Sequence, residues 1–480
     1  EEICSENYTT ENLYMNRIAN IEENAVLNNN YAWEGTALKY DYDKAIEVTD
    51  KGTDKANGAD IKYSDGKLYK QFSEIFTGGN WTFEENKLPV LNMGTEETSD
   101  IPEYITGYTP SYGEEYKFEG EGTEQNPYII SSLKDLEGLR DNVNNKRKTY
   151  EGKFFKQTAD IDMSELEYWY SIGYDFGSAS YYFKGTYDGD NHKISNMYTS
   201  SNYNWGFFRD IEGTVKNLTL ENCEVENSSG VEMAGILARC AKGATIVNCH
   251  VINGKVRSAG DNVGGLIGNI YAYENDTVIK NCSFEGEVIG NRNVGGIVGI
   301  SEGADISECY FKGNLTGGNN TGGILGYVPR NSVTLSTSKK TTIKDCYTKV
   351  ALTGSGSFIG GILGRVQGEA EVTDCYVTGT IKGSAVGGIV GAYMGRSLEV
   401  KNNVSLLDSI NVGTSPVGRI LGYDPVDDGL TLKDNYAWAG MRVNGNVVAD
   451  SSIDGKGFLY YKGELGKQLS DVFTNKDVWT

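Results

Sequence analysis

A short phrase, Val294-Gly-Gly-Ile-Val-Gly299, recurs down this chain and limits what it can fold into. It returns as Ala234-Gly-Ile-Leu-Ala238, Val263-Gly-Gly-Leu-Ile-Gly268, Thr321-Gly-Gly-Ile-Leu-Gly326, Ile359-Gly-Gly-Ile-Leu-Gly364 and Val386-Gly-Gly-Ile-Val-Gly391. A degraded copy, Val417-Gly-Arg-Ile-Leu-Gly422, and an aromatic one, Trp205-Gly-Phe-Phe208, flank these. The second position of each pair (Gly206, Gly235, Gly265, Gly296, Gly323, Gly361, Gly388, Arg419) advances by 29, 30, 31, 27, 38, 27 and 31 residues. A period near thirty is the signature of a solenoid.

Each repeat holds apolar runs of about four to six residues, rich in Ile, Val, Leu and Tyr and separated by Gly, Asn and Ser, too short for helices. One such unit cannot bury its apolar side alone, whereas stacked units share a continuous core. Parallel stacking sets equivalent positions about 4.8 Å apart, so like residues form ladders. The glycine pairs permit tight corners and close approach between coils. The fold expected is all-β: a parallel β-helix of about eight coils, with a small α/β cap at the opening end and a closing cap.

A partner phrase, typified by Ile306-Ser-Glu-Cys-Tyr-Phe311, puts cysteines at Cys223, Cys249, Cys282, Cys309, Cys346 and Cys375, with Asn403 at the same phase. Equivalent neighbours in a ladder single out no pairs, so these are read as a structural stack of buried free thiols acting as small apolar residues. Cys240 is off phase.

The Val-Gly-Gly-Ile-Val-Gly phrase with its Asn-Cys partner resembles the GLUG-motif repeats of bacterial secreted and surface proteins, of right-handed parallel β-helix type. The stretches Gly122–Ile130, Leu133–Val143, Phe155–Asp162 and Phe183–His192 look like the module preceding such repeats. The resemblance covers about residues 116–440 and implies fold far more than function.

Set beside the C-terminus, the first 95 residues show a second copy of its pattern. Asn30-Tyr-Ala-Trp33 matches Asn435-Tyr-Ala-Trp438, Gly66–Thr77 matches Gly463–Thr474, and Arg17-Ile18 falls where Arg419-Ile420 falls. Cys4, thirteen residues before Arg17 as Cys375 is before Gly388, falls at the phase of Cys375. The expected organisation is therefore 1–95 as the closing segment of a preceding β-helix module, 96–115 as linker, and 116–205 as opening cap with one helix. The coils follow at 206–440, with an incomplete closing cap at 441–480. Ser131 or Ser132 would cap a helix striped by Leu133, Leu136, Leu139 and Val143. A second helix is expected from Leu465 to Phe473.

Net charge is −22, from 66 acids against 44 bases, which opposes binding to nucleic acid. No apolar run is long enough for a transmembrane helix, and no signal-peptide pattern is present. The acids before the cysteines (Glu308, Asp345, Asp374) alternate with Asn at the same phase and read as turn residues rather than a catalytic set. Zinc-ligand spacings, a His-Glu-x-x-His helix, a nucleophile elbow and a phosphate loop are missing, so catalytic residues, metal and cofactor are all expected to be none, and the chain is expected not to be an enzyme.

One aromatic cluster, Tyr168, Trp169, Tyr170, Tyr174, Tyr181 and Tyr182, is a candidate ligand platform, since clustered rings stack on sugars or anchor a protein. Further loop candidates are Tyr271 to Asn275, Pro329 to Lys340 and Tyr393 to Arg396. The expected function is an extracellular structural or adhesive module of a tandem-repeat surface protein or filament, binding by multivalent contacts. Its partners would be neighbouring modules or copies, glycans, or host and cell-surface proteins. The alternatives are a β-helix carbohydrate-active enzyme, such as a polysaccharide lyase or glycosidase, and a glycan-binding module.

Overall fold

The computed structural model describes residues 2–5, 31–33, 37–40, 44–46, 59–61, 68–76, 81–83, 87–91, 115–176, 179–200, 206–227, 233–271, 276–330, 339–412, 416–425, 428–447, 456–458, 469 and 472–473. The chain divides into two compact units, Glu1–Glu115 and Tyr116–Thr480.

The second unit is a parallel β-solenoid. One wall is an eight-stranded parallel sheet in simple sequential order, from Phe208–Ile211 through Ala238–Lys242, Ile267–Tyr271, Val298–Ser301, Leu325–Val328, Leu363–Val366 and Val390–Tyr393 to Leu421–Tyr423. The remaining walls form a second sheet that bends at each corner. A representative coil runs through Val294–Gly295, Val298–Ser301, Ala304–Ser307 and Tyr310–Gly317 before Thr321–Gly322 opens the next. The interior is one apolar cluster from Ile130 to Met441.

The three glycines of the phrase answer three separate collisions. A Cβ on Gly295 would lie 1.8 Å from the carbonyl oxygen of Val298 in its own coil. On Gly296 it would lie 2.2 Å from the Gly323 oxygen of the next coil, and on Gly299 2.6 Å from the Gly268 oxygen of the previous one. Real Cβ atoms do not approach backbone so closely, so each glycine is set by space. Arg419 replaces the second glycine where Leu421–Tyr423 ends the eight-stranded sheet, and its own side chain is buried. At that position the turn of a further coil no longer demands the room.

A second constraint sits at the corner before each cysteine. Asn217, Asn248, Asn281, Glu308, Asp345, Asp374, Asn402 and Asp434 all turn the chain with φ between 51° and 56°. Asn and Asp tolerate this left-handed region better than other non-glycine residues. The next residue then points inward. The Cys282, Cys309, Cys346 and Cys375 thiols each approach the carbonyl two residues back at 3.1–3.2 Å. The Cys249 and Cys309 amides donate to the sulfur of the following coil, Cys282 and Cys346, at 3.5 and 3.4 Å. Asn403 and Asn435 take over the same job, with Cys375 N–H donating to Asn403 Oδ1 at 3.0 Å and Asn403 N–H to Asn435 Oδ1 at 3.1 Å. The thiols therefore serve corner backbone groups as weak hydrogen-bond partners as well as filling space.

Cys223 does not join this stack. The register pairs Leu218 with Cys249, and Glu224 with Lys255. Cys223 thus follows a second asparagine corner, where Asn253 Nδ2 donates to Asn222 Oδ1 at 2.8 Å. Two Asn corners five residues apart make the Asn-Cys dipeptide ambiguous in phase.

At the opening end, helix Leu133–Asn144 is capped by Ser132, whose Oγ accepts from the Asp135 amide at 3.3 Å. Leu136, Leu139 and Val143 are buried in the solenoid core. At the other end Leu469 and Val472 are helical and Phe473 is buried against Tyr376 at 6.1 Å; the rest of that expected helix lies outside the described residues.

The first unit repeats the topology of this closing end. Glu2–Ser5 pairs in parallel with Ala37–Tyr40, which pairs antiparallel with Lys44–Ile46. Tyr31–Trp33 pairs in parallel with Ala59–Ile61, and helix Leu68–Ile75 follows. In the second unit Ser409-Ile410 pairs in parallel with Arg442–Val443, which pairs antiparallel with Asn446–Val447. Tyr436–Trp438 then pairs in parallel with Lys456–Phe458. Glu2 paired to Ala37 thus corresponds to Ser409 paired to Arg442, which puts Cys4 at the position of Asn411 and corrects its assignment to the phase of Cys375.

Two outcomes are expected. Gly296→Ala should lower stability by about 3 kcal/mol or more, because backbone rather than a side chain blocks the methyl. Gly152→Ala, with φ +68° and no atom within 4 Å, should cost only about 1–2 kcal/mol; thermal melts of the two variants check this. In the native protein the buried thiols of Cys223, Cys240, Cys249, Cys282, Cys309, Cys346 and Cys375 should resist Ellman's reagent until unfolding. Burial pushes the Cys223 thiol up to about 12, leaving little thiolate to react.

Candidate functional site

Trp169, at the centre of the expected aromatic platform, faces inward. Trp169 is fully buried, its Nε1 donates to the Phe207 carbonyl at 3.1 Å, and its ring stacks on Phe207 at 5.7 Å. The Arg140 guanidinium covers it at 5.1 Å. The alternation that points Tyr168 and Tyr170 outward, where they meet edge to face at 5.2 Å, sends Trp169 inward. Tyr182 is half-buried beneath Lys242, 4.5 Å from the ring centre. Tyr174 and Tyr181 are paired across a short antiparallel hairpin, and their side chains lie outside the described residues. Tyr393, expected on a loop, is buried and donates its hydroxyl to the Asp428 carbonyl at 2.9 Å. Residues 272–275 and 331–338, which carry most of the other loop candidates, lie outside the described residues.

Acids on the outer faces meet cations on the same or adjacent coils. Glu224 accepts from Lys255 and Arg257, and Arg257 continues to Glu287 at 2.7 Å. Glu308 pairs with Lys280 at 3.1 Å, and Glu285 with Lys312 at 2.8 Å. Asp210 is buried and held by Arg239 through contacts of 2.8 Å to each carboxylate oxygen, with Arg209 at 3.0 Å. Bidentate pairing of this kind adds geometric specificity to a charge-assisted hydrogen bond. Among the described residues no group of three or more His, Cys, Asp or Glu is placed to hold a metal ion.

Tyr310, Tyr347 and Tyr376 stack at 4.9 and 5.0 Å along the solenoid. Their faces are used on one another, so the ladder shows ring edges to the outside. Beside it runs a crease that the platform reasoning missed. The strands Tyr310–Gly317, Tyr347–Gly360 and Tyr376–Gly387 bring Gly313, Val350 and Gly379 into register there. A Cβ on Gly313 would lie 1.8 Å from the Gly286 oxygen. A shallow groove of about 330 Å³ lies there, lined by Lys312, Asn314, Lys349, Ala351 and Thr380. On the next coil Gly379 pairs with Leu407, and the register shifts before Ile381 pairs with Ile410. A separate cavity of about 490 Å³ is lined by Asp408, Ser409, Trp438, Gly440, Arg442 and Gly445. The sequence signal for it was the repeated Asn-Tyr-Ala-Trp phrase, read as a marker of module boundaries.

A family model described as the GLUG motif matches residues 259–289, 290–316 and 355–382. An immunoglobulin A1 protease of Streptococcus sanguinis is 23% identical over 313 residues, covering 61% of this chain and 15% of the relative. Halomucin of Haloquadratum walsbyi is 35% identical over 159 residues, covering 31% of this chain and 2% of the relative. A crystal structure of a protein assigned as an immunoglobulin A1 protease from Bacteroides ovatus matches with TM-score 0.44 and 21% identity, over 74% of this chain and 90% of that one. The chain thus spans less than a sixth of these two curated relatives. The expectation that it is not an enzyme is overturned in that form, since a relative matched over 61% of this chain carries a protease name.

The corner carboxylates give a pH test. Burial holds Asp374 above the usual carboxylate value; the Asn402 amide opposes that shift and the Asp345 charge adds to it. A raised folded pKa favours the protonated form, so this contribution is full below the unfolded value and lost as pH rises through the folded one. Asp374→Asn, matching Asn281 and Asn402 at equivalent corners, should therefore stabilise the fold by about 0.5–1 kcal/mol at pH 7. The gain should vanish near pH 3, as read from denaturant midpoints at both pH values.

Proposed function

We propose that this chain, a parallel β-solenoid carrying GLUG-motif repeats, works outside the cell as a structural and adhesive module, one unit of a tandem-repeat surface protein or filament. The observation that carries this reading is the closing topology present twice, with Trp33 and Trp438 at equivalent strand positions. A unit that recurs with its capping strands, hairpin and helical segment suits serial joining of rods. About eight coils at about 4.8 Å each make a stiff spacer of roughly 40 Å. The net charge of −22 disfavours nucleic acid as a partner. It leaves neighbouring modules, glycans and cell-surface proteins as the partners such a rod would meet.

Repetition turns weak single contacts into useful avidity, provided the geometry allows several to engage at once. In relatives several times longer than this chain, a solenoid of this kind would hold and present other parts of the protein. The reading is tested by intact mass and peptide mapping of the protein from its native source. A mass well above 52.5 kDa, with further peptides carrying the Asn-Tyr-Ala-Trp phrase and its coils, is expected. A mass equal to this chain would overturn the tandem arrangement.

A further inference from the structure

We propose that the cavity beside Trp438 binds a neutral sugar ring of a glycan. The proposal stands on the site itself and does not rest on the tandem reading. Trp438 is half-buried on the cavity wall, and Gly440 lies against it. A Cβ on Gly440 would fall 2.5 Å from Trp438 Cζ2, so glycine is what lets the indole fold back over its own strand. Around the indole stand one carboxylate (Asp408), one hydroxyl (Ser409) and one guanidinium (Arg442). Arg442 is anchored by Nη1 donating to the Gly445 carbonyl at 3.1 Å, at the tip of a tight hairpin where Asn444 and Gly445 take φ 48° and 79°.

The part of the indole left open by the core and Gly440, with acceptors and donors at its rim for hydroxyls, is the complement of the C–H side of a pyranose. Asp408 and Arg442 offset one another in charge, which selects neither an acidic nor a basic ligand. The remaining chain charge further disfavours polyanions.

A second observation comes from the first unit. The sequence there reads Asn30-Tyr-Ala-Trp33-Glu-Gly35 against Asn435-Tyr-Ala-Trp438-Ala-Gly440. The strand register sets Glu2 where Ser409 stands, one residue from Asp408. The Trp-x-Gly pair and a neighbouring acid are thus present in both copies, although Arg442 is replaced by Ala37.

The test is isothermal titration calorimetry of the full chain with tetrasaccharides of glucose, galactose, mannose and N-acetylglucosamine, and with an oligogalacturonate. Saturable binding to at least one neutral tetrasaccharide is expected, weakened tenfold or more by Asp408→Asn or Arg442→Ala with the melting temperature unchanged. The double variant Trp33→Ala/Trp438→Ala should abolish it. Three results would overturn the proposal: no binding to any neutral tetrasaccharide, binding confined to the oligogalacturonate, or full affinity retained in the rim and double tryptophan variants.

Discussion

Backbone stacked on backbone is the constraint from which the rest of this solenoid follows. Each coil has to lay its turn directly over that of its neighbour, and at the glycine phrase there is no room for a single methyl group between carbonyl oxygens of adjacent coils. Once that contact is made, every other position is placed at a fixed offset from its counterpart. The corners, thiols and tyrosines then fall into columns because the chain is given no other register.

The same constraint explains why polar corners are tolerated inside an apolar core. A left-handed residue breaks the strand and leaves amide and carbonyl groups facing inward, where an unpaired polar group is costly. Cysteine supplies a small side chain able to accept from one coil and donate within another. Near the closing end asparagine supplies stronger versions of both bonds.

The coil period, the cap helix under Ser132 and the duplicated closing segment were readable from residues alone, because each depends on local spacing. Phase within a coil was less readable. Cys223 looked like a member of the cysteine column until pairing showed that Leu218 occupies that place, and Cys4 was misassigned for the same reason. An Asn-x dipeptide signals a left-handed corner without saying which corner. Trp169 was misjudged because composition marks a cluster of rings but only alternation across a strand decides which of them faces in. The cavity beside Trp438 was hidden differently: its lining comes from separate stretches that only coil stacking brings together.

Arg419 stands where every complete double-glycine phrase has its second glycine, and it does so on the last rung of the eight-stranded wall. Its side chain is fully buried, so the position is filled by a large residue where the other rungs leave room only for backbone. It therefore acts as punctuation. Rungs duplicated or lost upstream of it would leave that last contact as it is, so the length of such a rod can change in whole steps.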